Sequence, residues 1–316
     1  MNHILKSAVA VMCLAAFSSQ VFAQTEGGEE ALGFSRITRN PQGAAMGFSG
    51  AASSSTAAWS SFGNSAVLPF YAGKMDIQAV YQSWAPDNDA LKTTNIAAGF
   101  SYKFGKKFGM SLGFVSQKDA EEYLVYNESG ATKGSFTPSD MQLNIGAGLK
   151  IGKSYSIGAN IKYLNSKLSE DDSYGTVAAD IFVMGKFSNF NVAFGASNVG
   201  GSVKDANDKS FKIPSSMTLA GNYSTVLNKA HGFDVNLDAD YYFTNNMTVA
   251  VGAQYAYDDM VFVRAGYHYG NKEAILPSFA TLGAGVKFFG FRLDFAYLLG
   301  EDTLKGGMTI GLGYSF

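Results

Sequence analysis

From about residue 73 onward the chain repeats one pattern: eight to twelve residues in which apolar side chains alternate with small or polar ones, and then a turn. In MDIQAVYQSW the residues Met75, Ile77, Ala79 and Tyr81 share a face; in NIAAGFSYKF the face is Ile96, Ala98, Phe100, Tyr102 and Phe104. A period of two belongs to a β-strand, whose successive side chains point to opposite sides. The alternation returns through FGMSLGFVSQ, DMQLNIGAGLKI, YSIGANIKYL, TVAADIFVMGKF and FNVAFGASNV to GMTIGLGYSF, about fourteen times in all. Each unit is close to the roughly nine to eleven residues that a tilted strand needs to cross a bilayer.

The two faces differ. Asp180, Lys186, Asp234, Asp238, Asp240, Arg264, Lys287, Arg292 and Asp294 all fall on the second face, among Gly, Ser, Ala, Asn and Thr. The first face is free of charge in its central stretch and carries aromatic residues near the strand ends, among them Tyr81, Trp84, Phe104, Phe108, Tyr155, Tyr257, Tyr269 and Phe288. Two aromatic girdles around an apolar band are what a membrane barrel requires. A soluble sandwich also alternates, but its outward face should be charged and its strands nearer five or six residues.

Connections sort by length in alternation. GKK after Phe104, GKS after Ile151, SN after Phe187 and FG after Phe288 are short, whereas NSKLSEDDSYG, GGSVKDANDKSFKIPS and GNKEAILPS are long. Short periplasmic turns and long outer loops are the outer-membrane arrangement, which puts both chain ends of the barrel on the periplasmic side. TNN after Phe243 departs from it, being short where a long loop is due, and EEYLVYNESGATKGSF reads as a hairpin carrying two strands past the membrane. The closing strand, with Met308, Ile310, Leu312, Tyr314 and Phe316 on one face, is expected to pair with the first strand near Met75 so that no edge is left in lipid. Its alternation and terminal Phe316 also resemble the signal read by the outer-membrane assembly machinery.

The amino-terminal part reads differently. Residues 1–23 have the form of a secretory leader, with Lys6, an apolar stretch from Ala8 to Phe17 and a small-residue site at Val21-Phe22-Ala23, so that Sec-type export with cleavage near Ala23 is expected. Cys13 is the one cysteine of the chain and lies in that leader, which leaves the mature protein without thiol chemistry. Residues 24–72 are dominated by small side chains with no period of two and no amphipathic helix. Such a segment packs closely against other backbone, and we expect a plug, or hatch, that enters the barrel of residues 73–316 from the periplasmic side. Arg36 and Arg39 are then expected to meet the lumenal aspartates.

The stretch GFSRITRNPQGAAMGFSGAASSSTAAWSSFGNSAVLPF, followed by these strands, resembles the amino-terminal hatch of the PorV/PorQ family of Bacteroidota outer-membrane proteins, within the wider FadL-like superfamily of fourteen-stranded barrels. The matching elements are Ala45-Met46-Gly47 and, further on, Asn64-Ser65-Ala66 with Leu68 close behind. Two departures stand out: the Pro of the second element is Ser65 here, and Ser53-Ser54-Ser55-Thr56 replaces the acidic residue expected between the elements. The resemblance implies an all-β, fourteen-stranded antiparallel transmembrane barrel with a small-residue hatch. It implies a part in protein export to the cell surface through a type IX system, with a secretion translocon or secreted cargo as partner; the looser FadL-like resemblance implies passage of hydrophobic small molecules, and a scaffold role stays open.

Composition adds exclusions. In 316 residues, charged residues make up 16% and hydrophobic ones 47%, with 36 Gly, which is β-rich and short of surface charge. A formal net charge of -2 gives no reason to expect nucleic acid. Ala147-Gly148-Leu149-Lys150-Ile151-Gly152-Lys153-Ser154 fits a relaxed phosphate-loop pattern, but a strand follows where a helix is needed, so it reads as a tight turn. His268 on the polar face has no sequence neighbour that makes it part of a triad, and Glu170-Asp171-Asp172 reads as a solvated loop. We expect no enzyme activity, cofactor or metal, and outer-membrane lipid as the surrounding medium.

Overall fold

The computed structural model describes residues 30–316 apart from residues 85, 87–91, 127–129, 131, 170–171, 205–207, 245, 271–275 and 301–303. The leader, the site near Ala23 and Glu170-Asp171 lie outside the described residues. Eighteen strands follow one another: β1 (Met75–Trp84), β2 (Thr93–Phe104), β3 (Phe108–Asp119), β4 (Tyr123–Tyr126), β5 (Thr132–Phe136), β6 (Ser139–Ile151), β7 (Tyr155–Lys167), β8 (Ser173–Phe187), β9 (Phe190–Val199), β10 (Ser202–Lys204), β11 (Ser210–Lys212), β12 (Ser216–Leu227), β13 (His231–Tyr242), β14 (Asn246–Tyr257), β15 (Val261–Tyr269), β16 (Phe279–Phe288), β17 (Phe291–Leu299) and β18 (Met308–Ser315). Fourteen of them close an antiparallel barrel, and the remaining four make the β4–β5 and β10–β11 hairpins at its long-loop end.

Closure runs through the first and last strands. Ile77 faces Tyr314, Ala79 faces Leu312 and Tyr81 faces Ile310, while the Phe316 carbonyl accepts the N–H groups of Lys74 and Met75 at 2.6 and 2.9 Å. No backbone edge is left open to lipid there, which is the condition a sheet must meet to span a membrane. The short turns, such as those joining β6 to β7 and β16 to β17, cluster at the end where β1 begins and β18 finishes, and we refer to it as the periplasmic end. The phosphate-loop pattern is the β6–β7 turn.

Burial is inverted relative to a soluble protein. Ile161, Leu237, Val263 and Leu312 are more than half exposed on the outer face, whereas Arg39, Lys162 and Arg264 are fully buried inside. Large apolar residues exposed all round a closed sheet, with cations in the core, make sense when lipid is the outer solvent. Met308, Ile310, Leu312 and Tyr314 point outward as expected, and Phe316 is exposed at the rim. Trp84 departs from the expected girdle: it is on the lumenal parity of β1 and its ring lies 6.1 Å from that of Phe48 in the hatch.

Candidate functional site

The hatch runs the full height of the lumen, starting at the outer end. Glu30 forms an isolated bridge with Lys212 of the outer β10–β11 hairpin, and the Ala31 N–H donates to the Lys212 carbonyl at 2.9 Å. Leu32 and Phe34 then pack against Leu164, Ala178, Val203 and Ile213 beneath that hairpin. Among the described residues the hatch thus begins at the outer end, and its last residues, next to β1, lie at the periplasmic end where entry is expected.

Both hatch arginines consequently sit in the outer half and find other partners than the aspartates. Arg36 pairs with Glu30 and stacks over the Tyr242 ring at 4.9 Å. Arg39 donates to the Gln82 amide oxygen at 3.0 Å and to the Phe34 carbonyl at 2.9 Å.

Asn40 caps the short helix α1 (Pro41–Ala45), accepting the Gln42 N–H at 3.1 Å, with Pro41 at a position where its missing N–H costs nothing. This helix lies against β15–β18. Thr281 secures its end by accepting the Gly47 N–H at 2.8 Å and donating to the Ala45 carbonyl at 2.9 Å. The approach is close enough that a Cβ on Gly266 would overlap the backbone of Met46 and Gly47; Gly47 itself has φ 70°, with the Tyr267 backbone 2.7 Å from where its own Cβ would be. The Met46-Gly47 element is therefore a docking point on the wall.

The chain then crosses the lumen, held by two wall carboxylates. Asp238 Oδ2 accepts the N–H groups of Gly50 and Ala51, both at 2.8 Å. Asp76 Oδ2 accepts those of Ala57 and Ala58 at 2.8 and 2.9 Å and the Thr56 hydroxyl at 2.7 Å. On the far wall Asn64 caps a 3-10 helix (Ser65–Phe70), accepting the Ala66 N–H at 2.9 Å and donating to the Ala51 carbonyl at 2.8 Å. Ser65, where the family element has Pro, bonds Asn160, and Ser156 donates to the Ala66 carbonyl at 2.6 Å. A Cβ on Gly158 would strike the Ser65–Ala66 backbone.

The other lumenal charges are neutralised largely within the wall. Asp180 pairs with Lys162 at 2.8 Å and accepts the Asn198 N–H at 2.8 Å. Asp294 accepts from Arg264 at 2.8 Å and from Arg292 at 2.7 Å; Arg264 continues to Gln254 at 2.7 Å, and Gln254 to Asp234 at 2.9 Å. Asp240 accepts from Thr218 at 2.5 Å. His268 is stacked on Phe279 with ring centroids 4.9 Å apart, its Nδ1 3.3 Å from the Gly47 carbonyl oxygen. Sequence reasoning missed Asp76, Asn160, Lys162 and Thr281. Their one signal is a polar residue on the lumenal parity of a strand, which any pore lining would also show.

A cavity of about 230 Å³ remains between the hatch and the inner wall of β6–β13. Phe48, Trp59, Phe62, Phe182 and Tyr242 give it aromatic surface, and Asp238 and Asp240 are among its polar groups. Oδ1 of Asp238 and the Ser60 hydroxyl, both buried, have no hydrogen-bond partner among the described residues. The cavity can hold a small molecule with a ring and at least one polar group.

No protein-family model and no curated protein sequence matches the chain. Solved structures do match. The toluene transporter TbuX of Ralstonia pickettii superposes with a TM-score of 0.59 at 12% identity, over 88% of this chain and 98% of its own. The monoaromatic hydrocarbon channel CymD gives 0.61 at 12% identity, over 87% and 97%. A Pseudomonas aeruginosa FadL homologue gives 0.54 at 12% identity, over 88% and 96%. The fold is FadL-like. At this identity the superposed structures show the fold alone, and none of them bears on the narrower likeness to PorV/PorQ read from the hatch elements of the sequence.

Proposed function

We propose that the protein is a non-enzymatic outer-membrane channel that takes up small molecules of hydrophobic character, with the hatch controlling passage. The observation that carries this reading is the cavity between the hatch and the barrel, in which five aromatic side chains stand among polar ones. A cavity of about 150 Å³ has room for benzene, so about 230 Å³ has room for a single ring whose substituents meet the polar groups of the lining. The superposed structures, named as transporters and channels for toluene and monoaromatic hydrocarbons, support the same class. The test is uptake of single-ring compounds by a deletion strain and by liposomes carrying the purified protein. Slower uptake in the strain and faster entry into the liposomes are expected; equal rates in both comparisons contradict the reading.

The export role implied by the PorV/PorQ resemblance has one feature in its favour. The β4–β5 hairpin stands beyond the barrel with Tyr123, Leu124 and Tyr126 exposed, a surface that suits a protein partner. Mild-detergent isolation that recovers a translocon barrel or secreted cargo, lost when the three residues become Ser, would favour export over uptake.

A further inference from the structure

A second cavity, of about 200 Å³, lies toward the periplasmic end, between Ser53-Ser54-Ser55 and a wall that includes Lys186, Asn191 and Asp234. Ser53 lines both this cavity and the outer one. The serine tract therefore stands between the two cavities.

The bonding of that tract differs from that of its flanks. Gly50-Ala51 on one side and Thr56-Ala57-Ala58 on the other hang from buried carboxylates. Between them the serines bond mostly within the hatch: Ser53 N–H to the Gly50 carbonyl at 2.9 Å, Ser53 to Ser55 through their hydroxyls at 3.0 Å, and Ser55 to Gln42 at 3.2 Å. The wall reaches the serine side chains through Lys186, which donates to the Ser54 hydroxyl at 3.1 Å. Ser55 is exposed. A short turn with fixed ends and self-contained bonding can swing without undocking either end of the hatch.

We propose that Ser53-Ser54-Ser55 is the gate of a passage that runs through the hatch, from the outer cavity to the periplasmic one. The periplasmic cavity is lined by hydroxyl, amide, Lys and Asp groups, with no aromatic residue among its described lining. A solute crossing it must replace the water on those groups, since buried polar groups left unpaired are costly. The class that fits both cavities is a small ring compound bearing a hydroxyl, amide or carboxylate substituent. This proposal rests on the channel reading above and adds its route and its selectivity.

Two variants test it in planar bilayers and liposomes, each first checked for heat-modifiable barrel. The triple variant S53G/S54G/S55G loosens the turn, and a several-fold rise in ion conductance over the parent is expected. In Ser54→Cys, a bulky methanethiosulfonate, which leaves a mixed disulfide on the thiol, is expected to abolish flux of a hydroxylated ring compound such as phenol, and a thiol reductant to restore it. Unchanged conductance in the glycine variant together with unchanged flux after thiol modification overturns the gate. If the parent still passes toluene in that case, the channel reading stands and the route lies elsewhere. If neither toluene nor phenol crosses the parent, yet the glycine variant conducts, the gate stands and the uptake reading falls.

Discussion

The hatch is held in two different ways along its length. Its ends, α1 with Met46-Gly47 and the 3-10 helix Ser65–Phe70, are pressed onto opposite walls, backbone against glycine, with Thr281, Asn160 and Ser156 completing their hydrogen bonds. Its middle, from Gly50 to Ala58, hangs from Asp238 and Asp76, with Asn191 and Gln78 of the wall bonding Ala52 and Thr56, and within it Ser53-Ser54-Ser55 bonds mainly to other hatch residues, Lys186 apart. Close packing transmits strain and tolerates little movement, whereas a few local hydrogen bonds worth about 1 kcal/mol each are readily exchanged for water. The contrast assigns fixation to the docked elements and movement to Ser53-Ser54-Ser55.

The wall beneath α1 is where the contrast breaks most completely. Asp294 compensates both Arg264, buried on β15, and Arg292, half-buried on β17. Asp294→Ala leaves two guanidinium groups facing each other, and breaking such a buried pair costs about 3–5 kcal/mol. Urea unfolding in lipid vesicles should show that loss, with the α1 end of the hatch becoming protease-sensitive before the barrel opens.

Gly158→Leu attacks the other end. Its side chain would occupy the position of the Ser65–Ala66 backbone, and overpacking of this kind costs about 1–3 kcal/mol. The barrel should still form, with the 3-10 helix displaced and the periplasmic end leaky to ions in planar bilayers. Asn64→Ala is milder, since a lost cap costs about 1 kcal/mol. It removes both the bond to Ala66 and the bond to Ala51, so a rise in hydrogen exchange confined to residues 64–70 should report it.

Smallest in stability is Ser54→Ala, which deletes the Lys186 bond in the middle of the hatch. Within about 0.5 kcal/mol the unfolding midpoint should not move. If it moves as far as that of Gly158→Leu, the centre is as firmly fixed as the ends and the contrast fails.

The lipid face was legible from the sequence because lipid tolerates no exceptions: each outward residue must be apolar, so the period of two survives in every strand, down to Ile310, Leu312 and Tyr314. Closure of β18 on β1 follows from the same demand. Trp84 was misread because an aromatic at a strand end suits a girdle and a hatch contact equally well, and its parity on β1 decides between them. The hatch carries no period, since its small side chains serve close approach on all sides. Its direction was therefore hidden, and with it the partners of Arg36 and Arg39. Asp76 and Asp238, which hold the hatch, look in the sequence like any acidic pore residue; what singles them out is the pair of backbone N–H groups each accepts, and only folding brings those together.

The course of the hatch is tested most directly by thiol accessibility in intact cells, using the absence of cysteine after Cys13. Gly33 lies near the outer end with open space around its Cβ position, and Ala72 is exposed at the periplasmic end. Gly33→Cys should react with a membrane-impermeant maleimide added outside, whereas Ala72→Cys should react only after the outer membrane is permeabilised. Labelling of Ala72→Cys from outside, with Gly33→Cys protected until permeabilisation, would contradict a hatch that threads the lumen from its outer end to its periplasmic end.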